Sequence, residues 1–194
     1  MRLTFVALLL IFSIEQSLSQ TLSEQERRFV VDLLEDNEQK FLSAIEKINE
    51  HQWSRKSVDT AWAAKDIAEH IVVAESFLLS IVRNIVATKQ NPEKASAVLG
   101  REQAIISRAL DRSERSQAPE SILPMSRFRS KDEMASAFRS ARQATIAYVK
   151  TVDQPLKAYV ATHPFTGDMS AYQWLVWIAA HSDRHLLQLE ELLK

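Results

Sequence analysis

Residues 63–88, AAKDIAEHIVVAESFLLSIVRNIVAT, carry the pattern that decides the fold. The apolar residues of this stretch recur at alternating intervals of four and three, which places them on one side of an α-helix. A seam of this kind is typical of a helix that packs in a bundle. The stretch therefore predicts a long bundle helix, and its seam consists of Ile67, Ile71, Ala74, Leu78, Ile81 and Ile85.

Three further segments show the same helical periodicity, over about residues 23–49, 130–152 and 170–194. The last two begin with a serine that is followed three positions later by Glu133 or Gln173, which is the spacing of a capping box at a helix start. The chain has only two glycines in 194 residues, which argues against a turn-rich β protein. The sequence therefore predicts an all-α protein built as a four-helix bundle.

The segments that connect the four predicted helices differ in length. Residues 50–61 and 153–169 form moderate connections, whereas residues 89–129 form a long one with a predicted short helix over 101–111. A connection of this length can cross the bundle. The second and third helices therefore need not be antiparallel neighbours.

Residues 1–19 have the features of a secretory signal peptide. A positive charge at the second position precedes the apolar run 3–14, and Ser17 and Ser19 are the small residues that signal peptidase prefers. We therefore expect export to the periplasm or secretion, with 20–194 as the mature domain. The run is shorter than the roughly 20 residues of a membrane span, so we expect no stable membrane anchor. An uncleaved N-terminal anchor is the alternative.

The absence of cysteine restricts the chemistry of the chain. It excludes disulfides, thiolate metal ligands, a cysteine nucleophile and a lipoprotein anchor. The formal net charge is −1, and charges of both signs are mixed along the chain, so there is no basic stripe of the kind that binds nucleic acid. An exported domain without disulfides must be held by core burial or by metal, and about 175 residues can bury a substantial core.

Three histidines are the candidate metal ligands: His70, His181 and His185. His70 lies between Ile67 and Ala74 on the seam of the second helix, and the other two are four residues apart on one face of the fourth. Three imidazoles from two helices leave coordination positions open, as in catalytic sites. Such ligation suits Zn, Ni, Cu or Fe. The alternative is that each histidine is an ordinary hydrogen-bonded residue of the core or surface.

Residues near these histidines suggest supporting roles. Asp66 or Glu69 could accept a hydrogen bond from the ring nitrogen of His70 that does not bind the metal. Trp174 and Trp177 either wall the site or pack in the bundle, and His163 either reaches a pocket mouth or packs its loop. Because ligation requires neutral imidazoles, the sequence predicts that metal binding weakens below about pH 6.5.

Three stretches of the chain resemble the DinB-like superfamily of metal-binding helical bundles. They are WAAKDIAEH at 62–70, APESILPMSRF at 118–128 and HPFTGDMSAYQWLVWIAAHSDRH at 163–185. The resemblance implies a four-helix bundle with up-down-down-up topology and a long crossover between helices two and three. One departure is Ala63, since members of the family often have a helix-capping serine there.

The resemblance also implies a function. It assigns the metal triad to His70, His181 and His185, with a divalent metal that is often Zn or Ni, and it implies frequent homodimers. Relatives include metal-dependent hydrolases and transferases or isomerases that use small thiols. Because such thiols are cytosolic and export is predicted, we favour metal-dependent hydrolysis of an unknown small molecule. A non-catalytic metal- or ligand-binding bundle and a thiol-dependent transferase are the alternatives. No residue stands out as a general base.

Overall fold

The computed structural model of the protein describes residues 21–56, 62–114 and 117–193. The predicted signal peptide, residues 1–19, lies outside this part of the chain. Of the helices in the described ranges, none combines the length and the apolarity that a membrane span requires. The elements in chain order are α1 (Glu24–Lys47), α2 (Glu50–Ser54), α3 (Ala64–Val86), α4 (Pro92–Val98), α5 (Glu102–Leu110), α6 (Lys131–Thr151), β1 (Val160–His163), β2 (Gly167–Ser170) and α7 (Ala171–Leu193), with short 3-10 turns at Glu120–Ile122 and Leu156–Ala158.

The four long helices α1, α3, α6 and α7 form the predicted bundle. Each of α1 and α3 packs against both α6 and α7. Helix α1 therefore lies diagonally opposite α3, and α6 lies diagonally opposite α7. One core cluster joins the beginnings of α1 and α7 to the ends of α3 and α6. A second cluster joins the ends of α1 and α7 to the beginnings of α3 and α6. Helices α1 and α7 therefore run one way and α3 and α6 the other, which is up-down-down-up.

Of the two predicted capping boxes, the one at α7 forms completely and the one at α6 forms by half. The Glu133 amide donates to Ser130 Oγ at 3.1 Å, but the Glu133 carboxylate accepts from the Arg129 amide instead of the Ser130 amide. The Ser170 amide donates to Gln173 Oε1 at 3.0 Å and the Gln173 amide donates to Ser170 Oγ at 3.3 Å, which completes a capping box.

At α3 the capping position is Ala63, whose side chain makes no capping bond. The Asp66 carboxylate accepts from the Ala63 amide at 2.9 Å instead. The loss of a capping serine is thus partly offset by an acidic residue in the first turn.

The connections contain more structure than the sequence pattern predicts. The predicted short helix of the crossover is α5, but α2, α4 and the antiparallel hairpin β1–β2 were not predicted. Helices of five and seven residues and strands of four carry too few periods to be recognised from the pattern. The hairpin turn uses Gly167, whose φ of +77° lies in the left-handed region that glycine adopts readily.

A buried ion pair lies in the middle of the bundle and connects all four long helices. Arg142 of α6 and Glu75 of α3 are fully buried, with Nη2 2.9 Å from Oε2. Arg142 Nη2 also donates to Asn37 Oδ1 of α1 at 2.9 Å and to Ser182 Oγ of α7 at 3.2 Å. The Thr145 hydroxyl donates to the other Glu75 oxygen at 2.7 Å. These bonds offset part of the cost of burying both charges, while the buried Arg142 Nε has no hydrogen-bond partner in the described part of the chain.

Candidate metal centre

The three predicted ligands converge between α3 and α7. His70 Nε2 lies 3.3 Å from His181 Nε2 and 3.1 Å from His185 Nε2. His70 is buried, and the other two are half-buried. The helical spacing places the α7 pair on one face, and antiparallel packing of α3 places His70 opposite them.

The hydrogen bonds of two rings orient their ligand nitrogens towards the cluster. His70 Nδ1 lies 2.9 Å from the carbonyl oxygen of Ile122, and His185 Nδ1 lies 2.9 Å from Gln188 Oε1. The Ile122 carbonyl can only accept, so His70 Nδ1 carries the proton and its Nε2 presents a lone pair to the other rings. Gln188 Oε1 favours the same tautomer of His185.

This donor set suits a divalent metal ion. Lone pairs at such short separations repel one another unless a proton or a cation lies between them. A tetrahedral ion with Zn–N distances of about 2.0–2.1 Å requires nitrogens about 3.3 Å apart, close to the separations in this cluster. The partners of Nδ1 are of the kind that metal-bound histidines use to fix their orientation.

Burial keeps these imidazoles in the neutral form that binds metal. It lowers the pKa of His70, an effect that the Ile122 carbonyl only partly opposes. Burial, followed by the proximity of His185 and His70, lowers the pKa of His181 far below its ordinary value. For His185 burial and the neighbouring His70 lower the pKa to about 3. The three imidazoles of the folded protein therefore lose their protons at lower pH than a solvated histidine does, which favours the form that binds metal.

Aromatic rings surround the cluster. The Trp62 ring centroid lies 4.9 Å from that of His70, and the Trp177 centroid lies 6.1 Å from that of His181. His163 packs against Trp174 and Trp177, with centroids 5.0 and 4.4 Å away. The His163 Nδ1 accepts from two amides of its own turn, so this residue packs the hairpin. Trp174 and Trp177 are buried, which agrees with packing in the bundle. Trp177 also lies beside the histidine cluster.

The two acidic residues predicted to support His70 have other partners. Asp66 binds the start of α3, as described above, and Glu69 accepts from the amides of Met125 and Arg127 in the crossover. Burial alone would raise the pKa of Glu69, but these amides and the Arg127 side chain outweigh it and lower the pKa. The partner of the His70 ring is instead the Ile122 carbonyl.

A second part of the crossover is attached to α7 between the two ligands of that helix. Arg184 is buried, and its Nη1 donates to the Ala109 carbonyl and its Nη2 to the Glu114 carbonyl, both at 2.8 Å. The guanidinium thereby caps the end of α5. The crossover is thus anchored to both ligand-bearing helices.

Sequence reasoning missed three residues that support the centre. Gln188 lies one turn after His185, so helical spacing could have found it. Arg184 resembles an exposed charge in a polar stretch, and Ile122 acts through its backbone. Neither the charge pattern nor residue identity indicates those two roles.

Comparisons with known proteins agree with this architecture. The family model of the DinB superfamily matches residues 33–189. The uncharacterized protein YuaE of Bacillus subtilis (strain 168) is 24% identical over 152 residues, which covers 76% of this chain and 87% of YuaE.

The chain also resembles a solved structure, that of YfiT from Bacillus subtilis. YfiT is described as a probable metal-dependent hydrolase with an unusual four-helix bundle topology. The TM-score is 0.55 at 15% identity, covering 90% of this chain and 95% of YfiT, so the likeness shows a shared fold. The match to the family model covers most of the chain, and the chain therefore belongs to the DinB superfamily.

Proposed function

We propose that the protein binds one divalent metal ion through His70, His181 and His185 and acts as a metal-dependent hydrolase. The observation that carries the proposal is the convergence of three Nε2 atoms, with the separations from His70 at 3.1 and 3.3 Å. Zn or Ni is the favoured ion, because both accept three imidazoles and keep positions for water or substrate. The description of YfiT as a probable metal-dependent hydrolase supports the same reaction class.

The residues of the chain have distinct roles in this proposal. The three imidazoles hold the ion, and the Ile122 carbonyl and Gln188 side chain keep two rings in the ligating tautomer. A divalent ion in such a site acts as a Lewis acid and makes water nucleophilic near neutral pH. Trp62 and Trp177 provide apolar walls that limit the access of solvent to the reacting groups.

Metal analysis of purified protein tests the binding site. We expect about one divalent ion per chain and loss of most of it in His181→Ala and in His185→Ala, because each removes one of only three protein ligands. His51→Ala is the matched control, since His51 lies on the exposed surface of α2 and outside the cluster. Equal metal content in the wild type and both ligand variants would contradict the assigned site.

Turnover tests the reaction class. Metal-loaded protein is assayed on a panel of esters, amides and phosphate esters, with His181→Ala as the inactive control. We expect hydrolysis that chelator abolishes, that added metal restores and that small thiols do not accelerate. Rates that require a thiol would favour the transferase alternative. A metal-loaded protein without any turnover would favour a binding protein.

We further propose that the protein is exported and that its mature chain begins near residue 20. The proposal is supported by the apolar run 3–14 and the serines at positions 17 and 19. N-terminal sequencing of the native protein tests it. An intact Met1 in a membrane fraction would instead favour an uncleaved anchor.

A further inference from the structure

Two consecutive residues of α3 hold two points of the same crossover turn. His70 binds the carbonyl of Ile122 at 2.9 Å. Glu69 binds the amides of Met125 and Arg127, at 2.8 and 3.2 Å, a few residues further along the turn. The position of the carbonyl that orients the metal ligand is therefore linked to the carboxylate of its neighbour.

The Glu69 carboxylate is the main anchor of this turn. Its side chain is only 4% exposed, and Oε1 also accepts from Arg127 Nη1 at 2.8 Å. The same guanidinium nitrogen donates to the Leu123 carbonyl at 2.7 Å, which closes the turn on itself. Charge-assisted bonds of this kind are the strong ones, and here three of them end on one oxygen.

The turn needs such an anchor because its backbone is strained. Ser126 has a φ of +58°, in the left-handed region that costs a non-glycine residue about 1 kcal/mol or more. Ser126 lies between Met125 and Arg127, whose amides both donate to Glu69. Without the Glu69 carboxylate, relaxation of Ser126 to an unstrained φ is expected to change the turn and to move the Ile122 carbonyl.

We propose that Glu69 is a positioning residue for the metal ligand His70, which it orients by fixing the crossover turn that carries the Ile122 carbonyl. The inference rests on the proposed metal site. Loss of such an outer contact lowers metal affinity by about 10- to 100-fold in other proteins. Glu69 itself touches no ring nitrogen of the triad among its described contacts, so its effect must pass through the turn.

The experiment compares Glu69→Ala with Glu69→Gln. Alanine removes every bond to the turn, whereas glutamine keeps the one oxygen that all three donors use. The matched control is Glu38→Ala, because Glu38 is also buried but accepts from Gln143 of α6, away from the crossover. Long-range ¹H–¹⁵N spectra of the metal-free protein report the His70 tautomer, assigned with His70→Asn. Titration with Co²⁺ reports the affinity and, through its visible spectrum, the ligand geometry.

We expect wild type, Glu69→Gln and Glu38→Ala to keep the proton of His70 on Nδ1 and to bind Co²⁺ with affinities within about threefold of one another. Glu69→Ala is expected to show mixed tautomers, an altered Co²⁺ spectrum and about 10- to 100-fold weaker binding. An unchanged tautomer and affinity in Glu69→Ala would overturn the inference. If that variant does not fold, Arg127→Ala, which removes one of the three donors, takes its place with the same expected direction.

The Co²⁺ titration and the tautomer spectra test this inference and the proposed function separately. A wild-type protein that fails to bind Co²⁺ would overturn the proposed metal site. The tautomer spectra of the metal-free protein would still decide whether Glu69 orients His70, since that measurement requires no ion.

Discussion

Removal of metal is expected to destabilise the bundle without unfolding it. The proposed ion connects α3 to α7 through residues that are 111 and 115 positions apart in the chain. The unfolded chain has no preformed site, so the ion binds preferentially to the folded state and stabilises it. The core clusters on both sides of the centre are buried without any contribution from a metal. A cooperative, helical metal-free protein is therefore expected.

The magnitude follows from mass action. With free Zn²⁺ held at a hundred times its Kd, binding stabilises the folded state by about 2.7 kcal/mol. In a protein of this size 1 kcal/mol shifts Tm by about 2–4 °C, so chelation is expected to lower Tm by about 5–11 °C. The ligand nitrogens are already at metal-binding separations, so little of this free energy is spent on rearrangement.

The pH dependence distinguishes buried ligands from solvated ones. Burial lowers the pKa of all three imidazoles, that of His185 to about 3, so protons compete less with a metal at pH 5 than they would at solvated histidines. Free imidazoles of pKa 6.5 would lose about 30-fold in affinity each over that range. Between pH 7.5 and 5 we therefore expect Kd to rise by less than solvated histidines would allow, so the weakening that the sequence predicts below about pH 6.5 is expected to be smaller and to begin at lower pH. The unfolded chain takes up protons below about 6.5, so the stability of the metal-free protein falls as pH decreases.

Thermal melts with and without chelator, at pH 7.5 and pH 5, measure these effects, together with Zn²⁺ titrations at both values. His181→Ala is the control, because chelator should leave its Tm unchanged. If chelator leaves Tm unchanged in protein shown to carry metal, the ion does not stabilise the fold by connecting α3 to α7. Loss of the cooperative transition on chelation would show that the metal is structural and would weaken the proposal of an open catalytic site. A Kd that rises by several orders of magnitude at pH 5 would refute the buried, neutral ligands.

Three further predictions concern the fold. Arg142→Met should lower the free energy of unfolding by about 3–5 kcal/mol, measured by chemical denaturation, because it leaves the Glu75 carboxylate buried without its cation. Adding Glu75→Leu should restore most of that loss. Equal stability of the wild type and the single variant would contradict this prediction. Ser130→Ala should cost about 1 kcal/mol through the lost cap on α6, and an unchanged denaturation midpoint would show that the cap is unimportant. Burial lowers the pKa of the half-buried His163 to about 4. The stability lost between pH 7.5 and pH 5 should therefore be smaller in His163→Asn, by about 1 kcal/mol after allowance for solvent screening; an identical pH dependence in both proteins would contradict a depressed pKa of this ring.

The long helices and the histidines of the cluster could be predicted because both signals are local. The apolar seam from Ile67 to Ile85 extends over about five helical turns, and the i, i+4 spacing places His181 and His185 on one face of their helix. The hairpin and the short helices α2 and α4 were not predicted, because their few residues carry no periodic signal. The roles of residues 1–19 and the export of the chain stay predictions.

By itself the sequence determined which residues form the bundle helices and which histidines face inward, since helical geometry converts spacing directly into direction. Tertiary structure alone decided what surrounds those histidines. The partner of His70 is a carbonyl 52 residues away, and a backbone carbonyl has no signature in the sequence. Glu69, one of the two acidic residues that the sequence offered as partners of the ring, instead holds the crossover, because packing of a distant turn brought two amides and a guanidinium within its reach. Contacts of this kind depend on how separate elements pack, which no local pattern encodes.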